Sequence, residues 1–407
     1  MKTQLTDRWL LPEGVDELLP PDAFILESLR REALDLFRSW GYELIFPPMI
    51  EYLESLLSGL GEDLSDQTLK VIDPVSGRLM GVRADITPQV ARIDAHRLCV
   101  EGPSRYCYCG TVVRANPENV LKDRTQVQIG AEIFGSKAME SDLEIIELAS
   151  ALLTKLPLPS ITVVIGHAGL FHEMTRLFKL DDEAKNQLIA LMQKKSLPDL
   201  THFLSGSALD TLSQSIIEGW AELLGGLDQL KKAKQLFSSF PSLLHCVNEV
   251  EKLVFILKSR HAEISWFIDL SEMRGYQYHT GIIFSAYSLV GERVVELVKG
   301  GRYDNIGEVF GRKRPATGFS ADLVQWVNLQ YAHSFSLNKA IFAPAIPHEA
   351  SYDHGEKYVA LKLKISALRV EGESVIVALP QFDHALQSLK CNRALVWKDD
   401  AWQVVSL

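Results

Sequence analysis

SRYCYCGTVVRANPENVLKDRTQVQIGAEIFG, residues 104–135, is where the sequence decides its architecture. Two runs of alternating character, SRYCYCGTVVRAN (104–116) and RTQVQIGAEIFG (124–135), flank a polar loop that contains Pro117. Alternation with a period of two belongs to strands, and two such runs read as neighbours in one antiparallel sheet. In VQIGAE, Gln128, Gly130 and Glu132 share one face, and Val127, Ile129 and Ile133 supply apolar neighbours. A Gln and a Glu with Gly between them leave a hole beside two polar groups. That face suits a small polar ligand, or it is an edge face open to water.

Working outward, DAFILESLRREALDLFRSWGYE (22–43) reads as a helix. Ile25, Leu29, Ala33, Phe37 and Trp40 recur every three or four residues, and Gly41 ends it. ELIFPPMIE reads as a strand, LKVIDPVSGRLMGVRAD as a hairpin, and TPQVARIDAHRL as a helix with Thr87 as N-cap and Pro88 in first position. Residues 138–154 are helical in pattern and ITVVIGH is a strand. From about 168 to 260 the chain is Leu-rich and helical, an inserted helical subdomain. Strand character returns in ISWFIDLSEM, GIIFSAYSL and RVVELVKGGRYD, and GFSADLVQWVNLQ closes the block. IFAPAI, SVIVAL, RALVWK and WQVVSL, with the helix EKYVALKLKISALRVEG, make a small α/β domain over 341–407. Helices flanking a large antiparallel sheet over residues 1–330 define an α+β fold. Neither G-x-G-x-x-G nor a Walker lysine motif is present, which argues against Rossmann and P-loop folds.

The 407 residues are 47% hydrophobic with a net charge of −10, which disfavours a general nucleic-acid binder. Cys99, Cys107, Cys109, Cys246 and Cys391 form no CxxC pair and read as free buried thiols of a reducing cytoplasm. His96, His167, His245 and His261 fit no metal spacing. No apolar run has the length of a membrane span, and the first residues lack a signal-peptide core.

Four stretches put charge on otherwise apolar strands: VRADIT (82–87), VVRAN (112–116), VQIGAEIFG (127–135) and LSEMRGYQYHTG (270–281). In the last, Arg274, two tyrosines and His279 crowd between glycines, with Tyr276, Tyr278 and Thr280 alternating with Gln277 and His279. An arginine fork there can hold a carboxylate, or it is a salt-bridged structural residue. Asp85, Arg114, Gln128, Glu132 and Arg274 together make a candidate amino-acid site. In RPATGFSADLVQW (314–326), Gly318 before a helix start suggests a backbone approach to a phosphate or substrate. Yet Asp322 and Gln325 stand where an anion site would want Gly and Arg.

LPEGVDELLP, VRADITPQVAR, CGTVVRAN…DRTQVQIGAEIFG, MRGYQYHTG, KGGRYD and PATGFSADLVQW occur in the order found in histidyl-tRNA synthetases, over about residues 10–330. Within that family the sequence most resembles the paralogous regulatory subunits of ATP phosphoribosyltransferase. The resemblance implies a class II aminoacyl-tRNA synthetase-like core that dimerises through its first motif. It maps histidine recognition onto Asp85 and Thr87 (amino group), Gln128 and Glu132 (carboxylate side and imidazole), Arg274, and the pair Tyr278–His279. Arg114 matches the second-motif arginine. In the synthetase Asp85 is Glu and the pair is Tyr-Tyr.

Three ATP-site positions depart from the synthetase. Asn116 replaces a motif Glu, Gln126 replaces the Phe that stacks on adenine, and Gln325 replaces the arginine that grips the terminal phosphates. Gln cannot supply charge-assisted contacts to a triphosphate. The resemblance therefore implies a non-catalytic subunit without cofactor. Its implied partners are a short-form catalytic subunit, a second copy of itself and L-histidine as effector, in the cytoplasm, with no tRNA and no membrane. Residues 331–407 carry eight Lys/Arg against eight Asp/Glu, which leaves no electrostatic footprint for tRNA. A divergent histidyl-tRNA synthetase or related adenylating enzyme, and a pure assembly module, are the alternatives.

Overall fold

A computed structural model describes residues 10–58, 62–116, 124–273, 275, 278–329, 340–345, 355–379 and 391–407. The chain divides into two compact units, residues 1–332 and 333–407.

The first unit opens with α1 (Asp22–Ser39), whose Ile25, Leu29, Ala33 and Phe37 are buried along one stripe. Gly41 takes φ +83°, a left-handed conformation that ends the helix without a Cβ penalty. The segment expected as one strand at 43–51 is two: β1 (Glu43–Leu44) and β2 (Ile50–Tyr52). Pro47 and Pro48 lie between them and have no N–H for a ladder. Their carbonyls instead accept from Arg83 Nη1 and Gln89 Nε2. Next come α2 (Leu53–Leu56), α3 (Glu62–Gln67), β3 (Leu69–Ile72) and β4 (Leu79–Val82), and β2, β4 and β3 form a small sheet.

α4 spans Thr87–Arg92 and runs on as a π-helical turn to Leu98. Thr87 is its first residue rather than its N-cap; Ile86 holds that position without a side-chain cap. The Thr87 hydroxyl is engaged elsewhere, as described below. The two deciding runs are β5 (Ser104–Val113) and β6 (Thr125–Phe134), paired antiparallel over their whole length. α5 (Met139–Leu153) and β7 (Thr162–His167) follow. A helical stretch comprises α6 (Gly169–Leu177), α7 (Asp182–Lys194), α8 (Leu197–Ser205), α9 (Thr211–Ala221), the short β8 (Leu224–Gly225), α10 (Gln229–Leu236) and α11 (Pro241–Arg260). β9 (Ser265–Asp269), β10 (Ile282–Val290), β11 (Arg293–Arg302), β12 (Ala316–Asp322) and α12 (Leu323–Val327) complete the unit.

Nine strands form the main sheet in the order β1-β5-β6-β12-β11-β10-β7-β9-β8. It is antiparallel through the centre, with parallel pairings at β1–β5 and β7–β9. α5 packs on β12, β11 and β6, and α1 packs on α12 and β5. Gly318, expected at a phosphate or substrate, lies inside β12 opposite Glu132, in the register that also pairs Asp322 with Gln128. Residues 278–281 are a turn, not alternating strand. Gly275 at φ +68° lets its carbonyl accept from the Tyr278 and His279 N–H groups, and the ladder resumes at Ile282.

In the second unit β13 (Ala340–Ala343) pairs in parallel with β14 (Val375–Val377) and β15 (Cys391–Lys398), and β16 (Ala401–Ser406) pairs antiparallel with β15. α13 (Gly355–Val370) buries Leu361, Ile365 and Leu368 against Ile341, Val375 and Leu395.

The cysteines are free thiols, but not all buried: Cys99 is exposed and Cys391 partly so. Burial pushes the Cys107, Cys109 and Cys246 thiols up to about 12, which keeps them protonated and inert. Among the described residues no helix is long and apolar enough to cross a membrane, and no group of His, Cys, Asp or Glu could hold a metal ion.

Candidate functional site

The centre of the sheet carries a polar network on the shared face of β6. Asp85 Oδ1 accepts from the Thr87 N–H at 2.9 Å and from Gln128 Nε2 at 2.9 Å, and Gln128 Oε1 accepts from the Ile86 N–H at 2.9 Å. The turn before α4 is thus fastened to β6 by one glutamine. The Thr87 hydroxyl lies 3.0 Å from both Glu132 Oε1 and the Tyr108 hydroxyl. Tyr108 reaches Glu132 Oε1 at 3.3 Å, and the Tyr303 hydroxyl donates to Glu132 Oε2.

The hole expected beside Gly130 is filled by the protein itself. Tyr108 pairs with Gly130 across the ladder, and a β-carbon there would meet the Tyr108 hydroxyl. A β-carbon at Gly318 would overlap Glu132 Oε2. Both glycines therefore make room for a side chain, and what approaches Gly318 is a carboxyl group. Enclosed among hydroxyls, Glu132 is pushed up to about 8 by burial, which outweighs its hydrogen bonds. Tyr108 and Tyr303 are likewise pushed far up by burial and stay neutral donors.

Tyr303 is held in turn by its neighbour. Arg302 is 7% exposed and donates to both Asp142 oxygens at 2.8–3.1 Å, to the Ser136 carbonyl at 2.9 Å and to the Ala138 carbonyl at 3.3 Å. A buried pair of this kind specifies geometry, and breaking it by removing one partner costs about 3–5 kcal/mol.

In the 278–281 turn the two expected ring residues touch but lie at different depths. Tyr278 is half exposed and His279 is buried, with ring centroids 4.5 Å apart. His279 Nδ1–H donates to the Arg302 carbonyl at 3.3 Å, which fixes the proton on Nδ1, and burial pushes the imidazole down to about 4. His172 Nε2–H donates to the His279 carbonyl at 3.1 Å and ties the turn to α6. Arg274, with Tyr276 and Gln277, lies outside the described residues.

At the other end of β6 the structure gathers a different set. Asp322 begins α12, and its Oδ1 accepts from the Val324 N–H at 3.0 Å and the Val127 N–H at 3.3 Å. Burial pushes this carboxyl up to about 6, and the nearby Arg114 guanidinium draws it back. Arg114 is buried beyond the end of β5, and its N–H donates to the Arg124 carbonyl at 2.9 Å. Asn116 is exposed and donates to the Asp66 carbonyl at 3.2 Å. Gln126 and Gln325 are half-buried. Asp85, Thr87, Gln128 and Glu132 thus form one hydrogen-bonded cluster, and Arg114 lies near Asp322, the ladder partner of Gln128.

Sequence reading missed Tyr108, Tyr303 and His172. A tyrosine in register with a glycine was available as a signal for Tyr108. Tyr303 lay in the quoted KGGRYD stretch with no role assigned. His172 had no signal, because its acceptor is a backbone carbonyl.

The family model described as "Histidyl-tRNA synthetase" matches residues 14–325, and that described as "ATP phosphoribosyltransferase subunit HisZ C-terminal domain" matches residues 338–405. An ATP phosphoribosyltransferase regulatory subunit from Stutzerimonas stutzeri is 41% identical over 404 residues, 98% of each chain. One from Pseudomonas paraeruginosa is 42% identical over 407 residues, again 98% of each. A Bacillus halodurans structure described as an ATP phosphoribosyltransferase regulatory subunit/histidyl-tRNA synthetase superposes with a TM-score of 0.79 at 24% identity, covering 94% of this chain and 95% of that one. Histidyl-tRNA synthetase from Nostoc sp. PCC 7120 gives 0.78 at 17% identity, covering 98% and 97%. The class II synthetase-like fold expected from the order of the motifs is therefore borne out, and the chain belongs to the family of ATP phosphoribosyltransferase regulatory subunits.

Proposed function

We propose that this chain is a non-catalytic, histidine-sensing subunit that assembles with a short-form ATP phosphoribosyltransferase catalytic subunit, activates it, and carries its feedback inhibition by L-histidine. The reading extends to a cytoplasmic complex in which the chain self-associates through its first motif and binds no tRNA. It takes 1–330 as the sensing core, with its helical insertion at about 168–260, and 341–407 as a separate small domain.

One contrast carries the reading. The amino-acid end of β6 keeps a closed network of Asp85, Thr87, Gln128 and Glu132, while at the former nucleotide end the chain's own Asp322 takes the N–H groups of Val324 and Val127. With Gln325 in place of an arginine, that end offers a triphosphate a carboxylate instead of a second cation. In the proposed site the ligand ammonium meets Asp85 and Thr87, and its ring meets Glu132, Tyr278 and His279. Arg114 and Arg274 are the cations assigned to its carboxylate. Histidine inhibits by binding more tightly to the state that disfavours the active partner, and that coupling is reciprocal.

The test is a purified mixture with a short-form catalytic subunit. Phosphoribosyl transfer should rise on adding this chain and fall on adding histidine. No stimulation, or robust histidine-dependent ATP–pyrophosphate exchange by this chain alone, overturns the reading.

A further inference from the structure

Glu132 is 1% exposed, and its hydrogen-bond partners among the described residues are three hydroxyls, those of Thr87, Tyr108 and Tyr303. None is a cation. The charged group that faces it most directly is a second acid, Asp85, in the turn before α4. Among the described residues, the other titratable groups around it bring no positive charge. Tyr108 on β5, Tyr303 after β11 and Tyr42 after α1 are neutral phenols, each pushed up by burial. The Arg302 guanidinium beside Tyr303 is taken by Asp142, and His279 is a neutral imidazole. A carboxylate in such a cage has hydrogen bonds but no counter-charge, so its neutral form is favoured.

Thr87 joins this cage to the outside. Its side chain is half-buried, it touches Glu132 and Tyr108, and its own N–H is held by Asp85. The Thr87–Tyr108 contact accepts either hydroxyl as donor, so the pair can receive a proton from a neutral Glu132 or donate to an ionised one.

We propose that Glu132 holds a proton while the site is empty and loses it when an ammonium-bearing ligand docks at Asp85 and Thr87, so that capture exchanges a bound proton for a ligand cation. This rests on the reading of that cluster as an amino-acid site. In the step the Glu132 O–H bond breaks and its electron pair stays on the carboxylate. The proton leaves to solvent past the Thr87 hydroxyl, and the ligand ammonium balances the new charge. A unit charge entering beside Thr87 in a weakly screened interior shifts such an equilibrium on the order of a hundredfold. The site thereby selects a cationic amine over a neutral ligand of the same shape, because a neutral one leaves Glu132 protonated and brings Asp85 no charge beyond its hydrogen bonds to Thr87 and Gln128.

Calorimetry of the full chain with L-histidine, in two buffers of different ionisation enthalpy, tests the exchange. At pH 7.2 roughly 0.8 proton should be released per ligand, and affinity should rise about fivefold between pH 7 and 8. N-acetylhistidine, which lacks the ammonium, should release none. Glu132→Gln should bind histidine with no proton release and a flat profile over that range. Histidine binding with the same enthalpy in both buffers sinks the exchange while leaving the ligand site standing, and so does a Glu132→Gln variant that releases as many protons as the parent. Should that variant not fold, the affinity profile of the parent decides, and a flat profile overturns the proposal. If histidine does not bind the parent at all, the amino-acid reading falls and this inference with it.

Discussion

Two rungs of the β6–β12 ladder, four residues apart, invite comparison. At one, Glu132 faces Gly318; at the other, Gln128 faces Asp322. The rungs are about 13 Å apart at strand spacing. Each has a carboxyl that burial pushes upward, the enclosed Glu132 to about 8 and the half-buried Asp322 to about 6. Their surroundings differ. Asp322 receives two backbone N–H groups and the attraction of Arg114, and serves as the chain's own anion at the start of α12. Among the described residues Glu132 receives hydroxyls, and the ladder gives up a side chain at Gly318 to admit it. At one rung backbone N–H groups and a guanidinium meet the carboxyl; at the other the room left by Gly318 is filled by the carboxyl itself.

The largest effect belongs to that room. Gly318→Ala drives a β-carbon into Glu132 Oε2 and the Ala131 carbonyl, where strands on both sides prevent a shift. Overpacking of this sort costs about 3 kcal/mol or more, and we expect poor folding yield or a clear fall in the denaturant midpoint. Adding Glu132→Ala should recover part of that loss. If the single variant matches the parent in midpoint, the close approach of the two rungs is wrong.

Next comes the pH response of Glu132. Its folded value of about 8 lies above its ordinary 4.5, so folding favours the protonated form. That stability is fully present below the ordinary value and is lost as pH rises through about 8. Glu132→Gln stays neutral throughout. Its stability relative to the parent should therefore climb between pH 5 and pH 8.5, by up to about 4 kcal/mol, because each pH step of one between the two values contributes about 1.4 kcal/mol. Parallel urea titrations at the two pH values measure it, and a constant difference would show that Glu132 is ionised in the fold already.

How much of this was legible in the sequence depends on the kind of interaction. The β5–β6 pairing was readable because alternation of apolar residues is a local signal and the two runs are close in the chain. So was the grouping of Gln128 with Glu132 on one face. The contents of the hole at Gly130 were not, because that depended on which residue of β5 the register would place opposite. Thr87 was misread for a similar reason. A Thr before a Pro is a good N-cap locally, but a buried acid on β6, 45 positions later, takes the hydroxyl. The stretch 274–280 looked like alternation by residue type, but of its described residues Gly275 takes a positive φ and its carbonyl accepts the Tyr278 and His279 N–H groups of a turn. Local pattern located the strands and helices; long-range competition for donors decided what their polar groups do.

A smaller effect is expected at the second rung. Asp322→Asn keeps an oxygen for the Val324 and Val127 N–H groups and removes the half-buried charge. The folded value of Asp322 lies above its ordinary 3.8, so the parent loses stability as pH rises through about 6. Above that pH the variant should match the parent or exceed it by about 1 kcal/mol, since loss of the Arg114 attraction offsets part of the gain. Thermal melts at pH 7.5 and pH 4 should show the advantage only at the higher value. A large loss at pH 7.5 would mean that the Arg114 attraction outweighs burial, and that the two rungs are less alike than their burial implies.

The smallest effect tests whether the Glu132 rung is read by the helical stretch that follows β7. His172 on α6 donates to the His279 carbonyl, and the Ala168 N–H donates to the Gly281 carbonyl, so both ends of the 278–281 turn are tied to the start of α6. The base of α6 is itself latched. The Gly169 N–H donates to His167 Nδ1, which leaves His167 Nε2–H to donate to Glu249 on α11 at 3.1 Å. A turn fastened in this way moves with α6 rather than independently of it. His172→Phe removes one hydrogen bond and should cost about 1 kcal/mol of stability, measured by denaturation. If the turn is the link between ligand and helices, the same variant should weaken histidine affinity more than it weakens the fold, and His172→Gln, which can still donate to the carbonyl, should restore both. Equal losses in fold and affinity, with no rescue by glutamine, would make His172 packing and nothing more.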